Sequence, residues 1–171
     1  MLSGVVTDLA ELRRLSEAKE PENRRFRRYL HDHPHSEELF HIIAEDVAAH
    51  IDCTRCGNCC RETVVEVSGA EVDAIAHYLG IEPDQARRLY TVSTDDGRTA
   101  LAQLHGECVF LDHNLCLIYE ARPYACREFP YVAEGGPALG ARVTSIFRRT
   151  SLCPIVYNTL EEYKERIRYR H

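Results

Sequence analysis

Four cysteines fall within the eight residues Cys53-Thr-Arg-Cys56-Gly-Asn-Cys59-Cys60. A thiolate is a soft, charged ligand, and four side by side repel one another unless a cation holds them. The spacing therefore reads as a soft-metal site, for zinc or for an iron–sulfur cluster. Cys53-x-x-Cys56-Gly57 has the form of a metal knuckle, a tight turn that aims two thiolates at one ion while backbone N–H groups donate to sulfur. Gly57 suits the positive φ that such a turn needs. Cys59 and Cys60 fit less simply. Adjacent side chains point in different directions, so one thiol of the pair can face another site or bridge two metals. On a helical turn Cys56 faces both, at i+3 and i+4.

Four further cysteines, Cys108, Cys116, Cys126 and Cys153, are loosely spaced. Alone, each reads as a small buried hydrophobe. Beside an evident metal site they read as ligands, and eight thiols fill two four-sulfur sites. Cys153 precedes Pro154 at a helix start, where free N–H groups and the helix dipole favour a thiolate. Arg55, Arg61, Arg122 and Arg127 lie next to or near cysteines. They can offset thiolate charge and donate hydrogen bonds to sulfur, which tunes a redox potential, or be ordinary surface arginines. Tyr119 either donates a hydrogen bond near the site or packs in the core. A four-thiolate zinc and a four-thiolate cluster with a 2+ core carry the same net charge, so charge does not separate them. There is no Gly-rich phosphate loop, Gly-x-Ser-x-Gly or His-Glu-x-x-His, so catalysis is expected only through the metal.

The elements that must carry these thiols are mostly helical. Apolar spacing predicts helices over 5–19, 22–30 and 37–50, the last capped by Ser36 with Leu39, Ile42, Ile43 and Val47 inward. The arginines of 22–30 read as a solvated helix face rather than an anion or partner surface. His31, His33 and His35 read as a solvated loop, with a turn at Pro34. A short strand is expected at 63–67, a Ser68-capped helix over 69–79 stopped by Gly80, and a helix from Pro83 to Tyr90. Asp95-Asp96-Gly97 predicts a hairpin between 91–94 and 98–104. Residues 108–111 and 141–147 look strand-like, and Gly135–Pro137 looks like a loop. Pro123 can open a short helix carrying Cys126, and Pro154 a helix to about 169 with Ile155, Leu160, Tyr163 and Ile167 inward. No internal repeat is evident.

At 171 residues the chain can bury a real core without staples. The net charge of −6 and dispersed basic residues argue against a nucleic-acid partner. No apolar run approaches the ~20 residues of a membrane span. Met-Leu-Ser-Gly-Val-Val-Thr-Asp is not a secretory signal, so the expected location is cytoplasmic, where thiols stay reduced and metal is preferred over disulfides.

Cys53-x-x-Cys56-Gly-x-Cys59-Cys60, Cys108-x-Phe-Leu, Cys116-x-Ile-Tyr-Glu-x-Arg-Pro123, Cys126-Arg-x-Phe-Pro130 and a late Cys153 together resemble the zinc- or iron-chelating CxxCxxCC domain family, the YkgJ-like cysteine-cluster proteins. The resemblance covers about residues 50–155, and all eight cysteines have counterparts in it. The flagellin lysine N-methylases look like longer relatives. That resemblance implies an iron–sulfur cluster and methyl transfer from S-adenosylmethionine, for which this chain shows no separate motif.

The expectation is an α+β fold, a helix-rich single domain with a small antiparallel sheet organised around cysteine-ligated metal. A helical segment at 1–50 packs on a metal-binding domain at 51–171. Metal ligands are Cys53, Cys56, Cys59, Cys60, Cys108, Cys116, Cys126 and Cys153, with Arg122, Arg127 and Tyr119 beside the cofactor. The expected cofactor is one or two iron–sulfur clusters, in redox or group transfer on a protein, peptide or small molecule. The alternative is a non-enzymatic zinc module that binds a partner.

Overall fold

The computed structural model describes residues 4–33, 35–132 and 139–170, with backbone alone at 139–142. Three helices open the chain: α1 (Leu9–Ala18), α2 (Glu20–Asp32) and α3 (Glu37–Ala49). A 3-10 turn at Cys53–Arg55 leads to the short α4 (Asn58–Glu62), then α5 (Gly69–Leu79) and α6 (Pro83–Tyr90). Six short strands follow: β1 (Thr91–Ser93), β2 (Thr99–Leu101), β3 (Gln103–Leu104), β4 (Glu107–Cys108), β5 (Leu111–Asp112) and β6 (Leu115–Cys116). A 3-10 turn at Tyr119–Ala121 precedes α7 (Tyr124–Glu128), α8 (Leu139–Arg148) and α9 (Pro154–Arg166). The fold is α+β and helix-rich. Among the described residues its antiparallel pairing is divided among three two-stranded hairpins, β1-β2, β3-β4 and β5-β6. No helix of the described residues is long and apolar enough to cross a membrane.

The chain forms two compact units, Met1–Asp52 with Pro130–His171, and Cys53–Phe129. In the first, α9 packs against α1 and α3. Every residue from Pro154 to Leu160 is buried, so this helix is enclosed over most of its circumference. Phe40 and Tyr163 meet edge to face at 5.4 Å, and the Tyr163 hydroxyl donates to the Ser36 carbonyl at 3.0 Å. Lys164 lies among these apolar groups, and a buried ammonium is tolerated only when paired. Its Nζ donates to Asn23 Oδ1 and Glu161 Oε1, each at 2.6 Å, and pairs with Glu22 at 2.9 Å.

Ser36 caps α3 as expected, accepting from the Leu39 N–H at 3.1 Å. The buried face is shifted, however. Phe40, Ile43, Ala44 and Val47 point inward, whereas Ile42 is 56% exposed. Phe40 replaces Leu39 and Ile42 as the anchor because 40, 43, 44 and 47 form one continuous i, i+3, i+4, i+7 stripe. His41 is buried on the same helix, its Nδ1 2.9 Å from the Val132 carbonyl oxygen. The strand expected at 141–147 is instead part of α8, with Val143 and Ile146 buried one turn apart. Its β-branched residues suggested a strand, and helical packing overrides that preference. The turn at Pro34 and the loop at Gly135–Pro137 lie outside the described residues.

The second unit builds its core from α5, α6, β2 and the segments after β4 and β6. Val72, Ile75, Ala86, Leu101, Phe110 and Ile118 are buried together, with Cys108 and Cys116 packed against them. Ser68 and Glu71 form a capping box at the start of α5, and Gly80 ends it at φ 67°. The expected strand at 63–67 reduces to an isolated bridge between Glu66 and Ala100. Val67 N–H donates to Thr99 O at 2.9 Å, and Leu101 N–H to Val65 O at 2.8 Å. The β1-β2 hairpin turns at Gly97 with φ 80° as expected, but its second arm ends at Leu101, and Gln103–Leu104 pair with β4 instead.

The α3 register gives a direct test. Ile43→Ala should cost about 2–5 kcal/mol of stability, and Ile42→Ala no more than about 0.5 kcal/mol. Chemical denaturation of the two variants measures both, and equal losses would contradict the assigned face.

Candidate metal centre

The knuckle closes through its own backbone. Cys56 and Gly57 N–H donate to the Cys53 carbonyl at 3.1 and 3.2 Å, and Cys60 N–H donates to Gly57 O at 3.1 Å. Gly57 adopts φ 59°, the left-handed conformation expected of it. Space forbids a side chain there as well. A Cβ on Gly57 would lie 2.8 Å from an Arg61 guanidinium nitrogen and 3.3 Å from Asn114 Cα.

Arg61 is the reason for this crowding. Its Nε donates to Glu107 Oε1 at 2.7 Å, its Nη1 to the Cys56 carbonyl at 3.1 Å, and its Nη2 to Asn114 Oδ1 at 2.8 Å and to the His113 carbonyl. Asn114 in turn donates to the Arg55 carbonyl at 3.1 Å. One planar fork thus ties the knuckle to Glu107, beside Cys108, and to the turn before Cys116. Correspondingly, α4 packs on β4, and the turn at Cys53–Arg55 packs on β6.

Cys108 and Cys116 occupy equivalent places in two consecutive hairpins. Gln103 pairs with Cys108, and Leu111 with Cys116. Val109 N–H donates to Ala102 O at 3.0 Å, and Leu117 N–H to Phe110 O at 2.9 Å. His105 and His113 take the left-handed turn position at φ 54° and 56°. Phe110 N–H donates to the Cys108 sulfur, and Ile118 N–H to the Cys116 sulfur. This is an eight-residue structural repeat, 102–109 and 110–117, where the sequence suggested none. The readable signals were the paired His-Gly and His-Asn turns, each followed after one residue by cysteine. The expected strand at 108–111 is divided between β4 and β5 because each hairpin must turn within eight residues.

Glu71 positions a further cysteine. Its Oε2 accepts from the Ser68 N–H at 2.7 Å, and its Oε1 accepts the Tyr124 N–H at 2.8 Å, at the start of the helix carrying Cys126. These donors, the Ser68 backbone foremost, hold its carboxyl below the usual range. Glu71 is legible as a capping residue. Its reach to α7 is not, because Tyr124 is distant in sequence.

The sulfurs of Cys60, Cys108, Cys116 and Cys126 interact electrostatically with one another. A hydrogen bond with Cys59 dominates in pushing the Cys60 thiol far up, followed by burial. Burial, then the charges of Cys60, Cys108 and Cys116, push Cys126 up to about 12. Cys108 and Cys116 are also raised, mainly by burial, against the opposing effect of their backbone donors. Arg61 and then the Arg122 guanidinium oppose the rise at Cys60, and Arg122 also opposes it at Cys116 and Cys126. It stacks 3.6 Å from the Tyr119 ring centroid, and Arg127 Nη1 donates to the Arg122 carbonyl at 2.6 Å. The two arginines and Tyr119 therefore form one assembly beside the thiols.

Among the described residues, no three His, Cys, Asp or Glu side chains are already drawn to the distances that grip an ion. The donor set nonetheless fits a soft cation, with sulfur ligands, amides aimed at two of them, and a guanidinium that favours thiolate. Cys59 and Cys60 lie on α4, with Cys53 and Cys56 in the adjoining knuckle. Cys153 belongs to the other unit, where it is buried at the N-cap of α9. No disulfide joins any of the eight.

Two outcomes follow. Arg61→Ala should lower both thermal stability and bound metal, while Arg61→Lys, which keeps the charge without the fork, should restore only part of either. Full recovery in the lysine variant, read by melting curves and elemental analysis, would contradict the role of the fork. Thiols raised in pKa are protonated at neutral pH and must lose protons to ligate. Metal uptake by the metal-free protein should therefore release protons and strengthen as pH rises. Calorimetry in buffers of different ionisation heat measures this, and identical heats would count against thiol ligation.

The model of the family described as "Putative zinc- or iron-chelating domain" matches residues 52–154, a span holding all eight cysteines. The uncharacterized protein MJ0661 of Methanocaldococcus jannaschii is 33% identical over 94 residues, covering 54% of this chain and 50% of the relative. The chain thus spans about half the length of the curated relative it matches. No solved structure matches it. With its family match covering more than half of its length, the chain belongs to the CxxCxxCC family of zinc- or iron-chelating domains.

Proposed function

We propose that this metal-binding protein holds an iron–sulfur cluster through the thiols of the Cys53–Phe129 unit, in a redox or group-transfer role on a protein, peptide or small molecule. The observation that carries the reading is the grouping of Cys60, Cys108, Cys116 and Cys126, drawn from α4, β4, β6 and α7, with amide donors at two sulfurs and Arg122 facing three. The knuckle thiols Cys53, Cys56 and Cys59 adjoin this group and extend the donor set, and Cys153 is the eighth candidate. When bound, such a cluster supplies one-electron transfer or a centre for group transfer, and hydrogen bonds to its sulfurs set its potential. The Phe110 and Ile118 amides stabilise thiolate charge at fixed positions. Arg122 offsets that charge, with Tyr119 holding its guanidinium plane and Arg127 bracing its carbonyl. The likeness to flagellin lysine N-methylases supports methyl transfer as the group-transfer chemistry. It names neither substrate nor an S-adenosylmethionine site in this chain.

Protein purified without oxygen should be brown and contain iron and acid-labile sulfide. Stoichiometric zinc without sulfide in the same anaerobic preparation would overturn the cluster and favour a zinc module. Cys116→Ser should lose metal and stability together, because ligation and folding are coupled. Unchanged metal content in that variant would remove Cys116 from the ligand set.

A further inference from the structure

A second site lies on the unit formed by Met1–Asp52 and Pro130–His171, where α2 packs on α8. Arg24, Arg27, Arg28 and His31 follow i, i+3, i+4, i+7 spacing and so share one face of α2. That face opens on a cavity of about 540 Å³, with Leu30, Val143 and Thr144 also lining it. Leu30 and Val143 are 3% and 8% exposed, so they give the cavity an apolar floor. Glu20 occupies the Arg24 guanidinium, and Asp32 faces His31. Among the described residues, no hydrogen-bond or ion-pair partner takes up the guanidinium of Arg27 or Arg28, and both are exposed. Two adjacent guanidiniums left open at a concave site are notable on a chain of net charge −6.

We propose that this cavity binds a small organic phosphate. Guanidinium forks match phosphate oxygens in geometry as well as charge, and each N–H donated to a phosphate is a charge-assisted hydrogen bond. The Thr144 hydroxyl offers a further donor at the rim. The apolar floor accepts a flat or aliphatic group attached to the phosphate. The size falls in the range of about 300–1,000 Å³ usual for small-molecule sites. From Arg24 to His31 the stripe runs about 10 Å along the helix, at ~1.5 Å per residue. That length spans a di- or triphosphate and is short for the backbone of a folded nucleic acid. No cysteine lines the cavity, and the proposal does not depend on which metal the cysteines hold.

ATP serves as the probe, titrated calorimetrically into the full-length, metal-loaded protein at low salt. The wild type should bind it, and Arg27→Gln with Arg28→Gln should weaken binding at least tenfold. Arg25→Gln, off the stripe on the same helix, should leave it unchanged. All three substitutions are at exposed positions, and metal content should stay at the wild-type level in each variant. Absence of ATP binding, or equal binding by the Arg27/Arg28 variant, would overturn the proposal. So would a single-stranded RNA dodecamer that binds far more tightly than ATP, which would make the stripe a nucleic-acid surface.

Discussion

The guanidinium of Arg61 is the interaction on which the cysteine-bearing unit depends. Beyond α5, α6 and the β1-β2 hairpin, that unit is built from two-residue strands and helices of five residues. Such elements have too few internal hydrogen bonds to hold their own positions. Arg61 supplies what they lack by donating to Cys56 O, Glu107 and Asn114 at once. The missing side chain at Gly57 leaves the room in which the guanidinium lies. The spacing of the cysteines in sequence matters less than the fork that gathers the loops carrying them.

A second constraint is electrostatic. Gathering Cys60, Cys108, Cys116 and Cys126 in a partly buried place raises their pKa values, both by burial and through their neighbours. The protein opposes this with fixed dipoles and nearby cations, Arg61 and Arg122 at Cys60 and Arg122 at Cys116 and Cys126. The Phe110 and Ile118 amides and Arg122 lower the cost of thiolate at Cys108, Cys116 and Cys126, and so prepare those positions for a positive ion. The same logic appears at Lys164 with the signs reversed, where Asn23, Glu22 and Glu161 surround a buried ammonium.

Local signals were readable where chain neighbours decide the structure. Ser68, Gly80, Pro83, Pro154 and the Asp-Gly turn each act within a few residues, and each element starts or turns where they placed it, although α9 ends at Arg166 and β2 at Leu101, short of the expected bounds. The knuckle and the φ of Gly57 were legible for the same reason. Residues 141–147 and the inward face of α3 were misread because packing against other helices decides them. Arg61 could be seen as a cation near cysteine, but not as a clamp. Three of its acceptors come from 46 to 53 residues away, and no periodicity points to such partners. The paired hairpins went unseen because their repeat is of backbone and turn chemistry, with only His and Cys in common.

The first unit is discontinuous in the chain, and this has a consequence for how the protein is made. The ribosome completes Cys53–Phe129 before α9 exists. The inward faces of α1 and α3 must therefore wait for the helix they pack on. At roughly 5–20 residues per second the delay between completing α7 and completing α9 is a few seconds. Throughout it Leu12, Phe40, Ile43 and Val47, all buried in the finished fold, lack the α9 surface that covers them. The cysteine-bearing unit has no such gap. Its segments emerge consecutively, so seven of the eight thiols, Cys53 to Cys126, can gather before Cys153 at the start of α9 is made.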